Sequence, residues 1–470
     1  MKNRWARPRS AMPISPARAA AFDILLRVQT EDAYASELLH SARLEKLSPA
    51  DRGLTTEIVM GVLRWRSRLD EAIAAASARP LAKLDAEVLT ALRIAAYQLN
   101  FLSRIPASAA INESVELVKR ARKTSAAPFA NAVLRKLAAA ERISPPADFD
   151  ANAENVSREY AHPLWLVERW TRQFGVETAF AICRQDQFEP SVSLRLETPT
   201  VEAELAAEGI QLSPGGMLTG ARTLLDCPVS NLTRTAAFRA GRVMIQDEAS
   251  QLVALLVGHG ARMLDCCAAP GGKTALFAAR NPEAEIIAAE IHPHRADLLR
   301  KRVRAPNVKV VQADATQLPV QGEFDRVLAD VPCSGTGTLA RNPEIKWRLK
   351  PEDLDDLHKK QAAILQSALG HLGPGGRAVY STCSLEQEED EAVVHEVLAQ
   401  RPGEFRLLDV RNELLRLHPS GELAWEDVDS LVSGKYLRTI PGIHPCDGFF
   451  AALIERRDRA SDFSPGSTTP

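Results

Sequence analysis

Residues 261–274 read Ala-Arg-Met-Leu-Asp-Cys-Cys-Ala-Ala-Pro-Gly-Gly-Lys-Thr, and this stretch decides the fold. The short apolar run through Met263 and Leu264 reads as a buried parallel strand with Asp265 at its carboxyl end. Pro270-Gly271-Gly272 then forces a tight turn, and Lys273 to Arg280 reads as a helix. Ligands of open α/β sheets bind at the carboxyl ends of strands, where such turns bring bare backbone close. Glycines there lack a Cβ, so N–H groups and the helix amino end can face an anionic group.

Working outward, the pattern from residue 241 on is strand–helix alternation, the signal of a parallel sheet with helices on both faces. Strands are predicted at 261–266, 285–291, 308–312, 324–330, 376–382, 404–410 and 448–455. Helices are predicted near 246–258, 272–280, 293–303, 352–371 and 386–400. The second strand ends at Glu290, eighteen residues past Gly272, close to where an acid binds a ribose diol. The third leads into Ala313-Asp314-Ala315, an acid placed to face an adenine edge. Each acid alone reads equally as a helix cap or a surface group. Two of them at the ends of consecutive strands, after a glycine turn, point to a nucleoside cofactor. The dinucleotide fingerprint G-x-G-x-x-G is absent, and so is the phosphate loop G-x-x-x-x-G-K-[ST].

The fourth predicted strand ends Asp330-Val331-Pro332-Cys333-Ser334-Gly335, and the fifth ends Ser381-Thr382-Cys383-Ser384. Two cysteines therefore leave the same edge of one sheet, over one pocket. Free cysteines are usually small buried apolar residues, and Cys183, Cys227 and Cys446 read that way, with Cys266 and Cys267 packed around the glycine turn. Cys333 and Cys383 differ because strand ends are where sites lie. Cys383 precedes Ser384-Leu385-Glu386-Gln387, a capping-box pattern for the helix expected at 386. A thiol at a helix amino end carries more thiolate. Carbon 5 of cytosine is a poor nucleophile, and a thiolate added at carbon 6 makes it enamine-like. Methylation at nitrogen or oxygen needs no thiol, so the cysteine pair selects carbon methylation.

The chain has 470 residues, enough for two or three domains, with ordinary apolar and charged content of 45% and 25%. No apolar run approaches the roughly 20 residues that span a bilayer. Seven cysteines without a C-x-x-C pair argue against a disulfide framework or a metal site. The reading is a reduced, cytoplasmic, monomeric protein without a metal. Net charge is −2, but cations cluster locally: Lys2, Arg4, Arg7, Arg9 and Arg18 near the start, then Lys119, Arg120, Arg122, Lys123, Arg135 and Lys136. Such stripes are either an electrostatic footprint for phosphates or a solvated helix face.

Residues 16–140 carry apolar positions at helical spacing throughout, such as Phe22-Leu25-Leu26 and Ile58-Val59-Val62-Leu63, and read as an all-α bundle. Its strings Asp51-Arg52-Gly53, Arg93 to Leu99, Ala109 to Leu117 and Phe129 to Arg135 resemble the NusB fold, an RNA-binding helical bundle. Residues 141–155, with Ser144-Pro145-Pro146, read as a linker, and 156–240 as a small α+β RNA-binding or linker module. Residues 459–470 are expected to be a disordered tail.

Residues 241–458 resemble the Sun/Fmu class of RNA cytosine-C5 methyltransferases. The matching strings are Gln246 to Ser250, Asp265 to Thr274, Asp330 to Gly335, Arg341 to Trp347, Thr382-Cys383-Ser384 and Asp447 to Phe450. The resemblance implies a Rossmann-like methyltransferase with a seven-stranded sheet, using S-adenosyl-L-methionine. It implies that Cys267, Ala268, Ala269, Pro270, Gly271, Gly272, Lys273, Glu290, Asp314 and Asp330 bind that cofactor. Cys383 is similar to the nucleophile of the class and Cys333 to its product-release cysteine, although in DNA cytosine methyltransferases the Pro-Cys residue attacks. Arg341, Lys346, Trp347 and Arg348 on the loop 336–350 could stack on RNA. Glu290 departs from the usual Asp, and Asp390 stands where Asn is common, so Asp390 receives no role. A NusB-like head on this domain implies action on a cytosine of 16S rRNA. The competing readings are the same chemistry on tRNA, or a non-catalytic NusB-type RNA scaffold.

Overall fold

The computed structural model describes residues 14–31, 33–41, 44, 46–143 and 150–458. The cations at positions 2 to 9, the Ser144-Pro145-Pro146 linker and the tail 459–470 lie outside the described residues. The described chain forms two compact units. One runs up to Glu189 and also takes in Leu339–Arg348; the other is Pro190–Thr338 with Leu349 onward.

The first unit is helical. Pro16–Thr30, Pro49–Arg64, Arg66–Ala76, Ala86–Phe101, Ala107–Arg120 and Ala127–Ala139 surround a core that includes Phe22, Ile58, Val62, Leu69, Leu92, Leu117 and Leu134. Ser48 caps the second of these, accepting from Asp51 N–H at 3.1 Å with Pro49 behind it. Half of the basic stripe is neutralised by acids remote in sequence or one turn back: Lys119 by Glu116, Arg120 by Asp23 and Lys123 by Asp85.

The stretch expected as one α+β module is divided. Its helices Ala153–Glu159, Leu164–Phe174 and Val176–Gln185 belong to the first unit. Ala161 enters the bundle core, and Arg158–Glu71 at 2.7 Å and Arg68–Glu159 at 3.2 Å tie this part of the chain to the helix Arg66–Ala76. Its strands go to the second unit: β1 (Ser193–Leu196), β2 (Gln211–Pro214), β3 (Ala221–Leu225) and β4 (Val243–Ile245) form an antiparallel sheet of order β2-β3-β1-β4. Strand β4 falls beyond the expected boundary at 240 because it pairs with β1, Leu194 opposite Ile245.

The main sheet contains all seven expected strands: β5 (Arg262–Asp265), β6 (Glu285–Glu290), β7 (Val308–Gln312), β8 (Phe324–Asp330), β9 (Leu372–Thr382), β10 (Phe405–Leu408) and β13 (Phe449–Arg456). A short hairpin, β11 (Val432–Ser433) and β12 (Tyr436–Thr439), raises the count to nine. Strands β7-β6-β5-β8-β9 are parallel, and β13 is antiparallel to β9. The far edge of β13 is shared: β12 pairs with Phe449–Ala451 and β10 with Leu453–Arg456. Alternate residues of the central strands feed separate cores, as the two-residue period of a strand requires. Leu264, Ile287, Val327, Ala329 and Tyr380 face one; Met263, Ile286, Leu328 and Val379 face the other.

Candidate active site

The carboxyl ends of β5, β6, β7, β8 and β9 carry the residues singled out above. After β5 the chain is pinned to its neighbours: Cys266 N–H donates to Leu328 O and Ala268 N–H to Ala289 O, both at 2.8 Å. Gly271 then takes φ +106° and opens the helix Gly272–Arg280. A Cβ there would stand 2.7 Å from Val303 Cγ2 and 2.9 Å from Leu299 Cδ1, so only glycine suits both the angle and the space.

Four carboxylates line this edge. Asp265 is buried, and burial raises its pKa to about 7, with Asp330 adding to the effect and the Thr274 hydroxyl at 2.6 Å opposing it. Its Oδ1 makes no hydrogen bond. Asp265, at the end of β5, stands beside the residues singled out from the sequence. Glu290 is buried, and its Oε1 accepts from His292 N–H at 2.8 Å. Asp314 is exposed and caps a short turn; bonds from the Thr316 backbone and hydroxyl hold its carboxyl below the usual range. Asp330 Oδ2 pairs with Lys273 Nζ at 2.7 Å, while its Oδ1 accepts from the Ser381 hydroxyl at 2.8 Å. The Lys273 ammonium therefore turns away from the glycine loop toward β8, lying 4.9 Å over the Phe449 ring. Cys267 is half-buried on the same loop, and burial pushes its thiol up.

The two sulfurs meet. Cys333 Sγ lies 3.2 Å from Cys383 Sγ, and Cys383 N–H donates to Cys333 Sγ at 3.3 Å. The hydrogen bond to Cys383 comes first, and burial second, in pushing the Cys333 thiol well up. The loops behind them are knitted together by Gly337 N–H to Cys383 O at 2.9 Å and Leu385 N–H to Thr336 Oγ1 at 2.9 Å. Gly448 N–H adds a bond to Gly337 O at 2.8 Å, and a Cβ on Gly337 would sit 2.2 Å from Gly448 O.

Two expectations need correction. The helix predicted at 386 begins at Glu391 and runs to Ala399. Ser384 Oγ instead accepts from Glu386 N–H at 3.0 Å in a local turn, so Cys383 does not stand at a helix amino end. Of the loop residues expected to meet RNA, Lys346, Trp347 and Arg348 are engaged inside the first unit. Lys346 is 1% exposed and donates to Arg64 O at 3.1 Å; Trp347 Nε1 donates to Leu63 O at 2.6 Å; Arg348 Nη2 donates to Val28 O and Ala33 O. Arg66 lies 5.7 Å over the Trp347 ring. Around Lys346, Asp186 and His162 are also buried; burial raises the pKa of Asp186 and lowers those of Lys346 and His162. Asp390, given no role from sequence, grips Thr382 Oγ1 at 2.5 Å and Arg438 Nη1 at 2.6 Å, immediately behind Cys383.

A glycine turn after the first strand of a parallel sheet, acids at the following strand ends and an antiparallel last strand define a Rossmann-like methyltransferase, here joined to a helical bundle. Residues 252–455 match the family model of 16S rRNA methyltransferase RsmB/F, and residues 15–139 match that of the NusB family. The probable ribosomal RNA small subunit methyltransferase B of Bacillus subtilis is 32% identical over 94% of this chain and 98% of its own. The ribosomal RNA small subunit methyltransferase B of Pseudomonas putida is 33% identical over 81% and 88%. The crystal structure of PH0851 has the same fold, with a TM-score of 0.75 at 23% identity over 95% of this chain and 100% of that one. The chain belongs to the RsmB/F family of 16S rRNA methyltransferases, and its reaction draws the methyl group from S-adenosylmethionine. Among the described residues no helix is long and apolar enough to cross a membrane.

Proposed function

We propose that this protein methylates carbon 5 of a cytosine in 16S rRNA through a covalent bond between Cys383 and carbon 6. The observation that carries the reading is the 3.2 Å separation of two sulfurs fifty residues apart in the chain. Transfer to an exocyclic atom has no use for either sulfur.

The cofactor's hydrogen-bond donors fit the acceptors of this edge. Its ribose hydroxyls, adenine amino group and ammonium are hydrogen-bond donors, and Glu290, Asp314, Asp330 and the unpartnered Oδ1 of Asp265 are acceptors. The segment Cys267, Ala268, Ala269, Pro270, Gly271, Gly272 and Lys273 would wrap it, with Glu290 taking the ribose diol. When bound, S-adenosylmethionine supplies an electrophilic methyl group on a sulfonium.

Cys383 releases its proton to solvent and its sulfur adds to carbon 6: the S–C6 bond forms as the 5,6 π bond opens, and that electron pair makes carbon 5 nucleophilic. Carbon 5 gains the methyl group and releases its hydrogen to solvent as a proton. The C5–H electron pair restores the 5,6 double bond and expels the Cys383 sulfur. Cys333, protonated and 3.2 Å away, donates a hydrogen bond to that sulfur as negative charge returns to it. The base must leave its stack to reach the sulfurs.

The test is a pair of variants. Cys383→Ala is expected to abolish transfer from methyl-labelled cofactor, and Cys333→Ala to accumulate a denaturant-stable protein–RNA adduct. The opposite pattern would exchange the two roles, and full activity of Cys383→Ala would end the covalent reading. Bisulfite sequencing of a deletion strain should lose one 16S rRNA signal; a lost tRNA signal with intact rRNA would overturn the substrate.

A further inference from the structure

Glu389, one residue before Asp390, is 0% exposed and lies beneath both cysteine loops. Its Oε1 accepts from Ser334 N–H at 2.7 Å and from Gln361 Nε2 at 2.9 Å. Its Oε2 accepts from the Ser384 hydroxyl at 2.5 Å and from the Ser334 hydroxyl. Ser334 is the residue after Cys333, and Ser384 the residue after Cys383. One carboxylate thus holds the chain just beyond each sulfur. Gln361 extends the grip by donating to Pro332 O at 3.0 Å, just ahead of Cys333. The backbone of Glu389 is held in turn, since its carbonyl accepts from the Tyr380 hydroxyl of β9 at 2.5 Å.

This is more than a buried acid that found partners. Loops at the ends of neighbouring strands have no intrinsic reason to keep their side chains in register, because the ladder between β8 and β9 stops at Asp330 and Ser381. Beyond that point one backbone bond, Gly337 N–H to Cys383 O, joins the loops, and side chains supply the rest of the register. A carboxylate with four donors aimed at it is a rigid cross-link, and each charge-assisted bond is shorter and stronger than a neutral one. Glutamine in its place would turn one acceptor into a donor facing donors.

We propose that Glu389 is a positioning residue: it clamps the loops after β8 and β9 so that Cys333 and Cys383 face one base together. The proposal rests on the covalent reading above for its consequence in methyl transfer, and on geometry alone for the spacing of the sulfurs.

The spacing can be read without RNA or cofactor. Diamide joins two neighbouring thiols: the S–S bond forms, and two electrons and two protons pass to the diazene, which becomes the hydrazine. Closure of Cys333–Cys383 in the full chain is followed by mass spectrometry of the linked peptides. Since a misplacement of about 1 Å can cost 10²-fold in a positioned reaction, Glu389→Gln should slow closure about ten-fold or more and single-turnover methylation about 10²-fold. S-adenosylmethionine affinity should stay within about two-fold, because Glu389 bonds none of the residues assigned to the cofactor. Glu389→Asp, which keeps the charge, should recover part of both rates. Should Glu389→Gln fail to fold by circular dichroism, Ser334→Ala removes one tether and is read the same way. Wild-type closure rates in the folded variant would overturn the clamp. Slowed closure with no RNA adduct from either cysteine variant would instead overturn the covalent reading, and with it the role of the clamp in methyl transfer.

Discussion

Replacing Arg438 by methionine tests how the strand carrying Cys383 is anchored. Arg438 lies on β12, 3% exposed, with Nη1 2.6 Å from Asp390 Oδ2 and Nη2 2.8 Å from Glu391 Oε1. Asp390 is fully buried, and its other oxygen holds Thr382, the residue before Cys383. Burial drives the Asp390 carboxyl well above its usual range, and Arg438 is the main opposing influence. Methionine fills a similar volume but leaves that carboxylate without a cation. Breaking a buried pair in this way costs about 3–5 kcal/mol. With a urea slope of about 3 kcal/mol per molar, the midpoint should fall by roughly 1–1.7 M. The pH dependence has a definite sign. A carboxyl whose folded pKa is raised favours the fold when neutral, so its contribution is present at low pH and lost as pH rises through the folded value. Removing Arg438 raises that value further. The deficit of Arg438→Met should therefore grow as pH rises, compared between about pH 5 and about pH 8. Adding Asp390→Asn to Arg438→Met should recover much of it at the higher pH. A deficit below about 1 kcal/mol, one equal at both pH values, or one untouched by Asp390→Asn would refute the account.

Two further outcomes follow from the geometry. Gly337→Ala would force a Cβ to within 2.2 Å of Gly448 O, so it should cost about 1–3 kcal/mol in urea unfolding and slow methyl transfer, since Gly337 also bonds Cys383 O. Wild-type stability and turnover would show that the two backbones can part freely. Trp347→Phe keeps a ring beneath Arg66 but leaves Leu63 O without its donor, so it should destabilise the first unit by about 1–3 kcal/mol. RNA affinity, measured by filter binding, should be unchanged; a selective loss of RNA binding would restore the stacking role read from sequence.

Much of the main sheet was legible because parallel strands buried on both faces are short, continuous apolar runs, as in Ile286 to Ala289. The cysteine pair was legible because Pro-Cys and Thr-Cys each follow such a run. The hairpin β11–β12 was not, since two and four residues around Gly434 are too few for a period to show. The late start of the helix at Glu391 was missed because Ser384 and Gln387 satisfy a capping pattern while Ser384 is bound to Glu389. Lys346, Trp347 and Arg348 look like an RNA surface because cations and an aromatic ring are normally exposed. Their acceptors are backbone carbonyls in helices some three hundred residues earlier, which no local pattern encodes.

Leu339–Arg348 places a decapeptide of the catalytic half inside the helical half, so the chain passes between its two units three times. A single cut at Glu189 cannot release an intact enzyme core: it would strand the Lys346 ammonium and the Trp347 indole without the carbonyls that receive them. Gene fusion or loss at this junction must therefore be accompanied by rewriting a peptide that begins six positions after Cys333. Inheritance of the helical head and of the reaction centre is coupled by topology, not only by shared substrate.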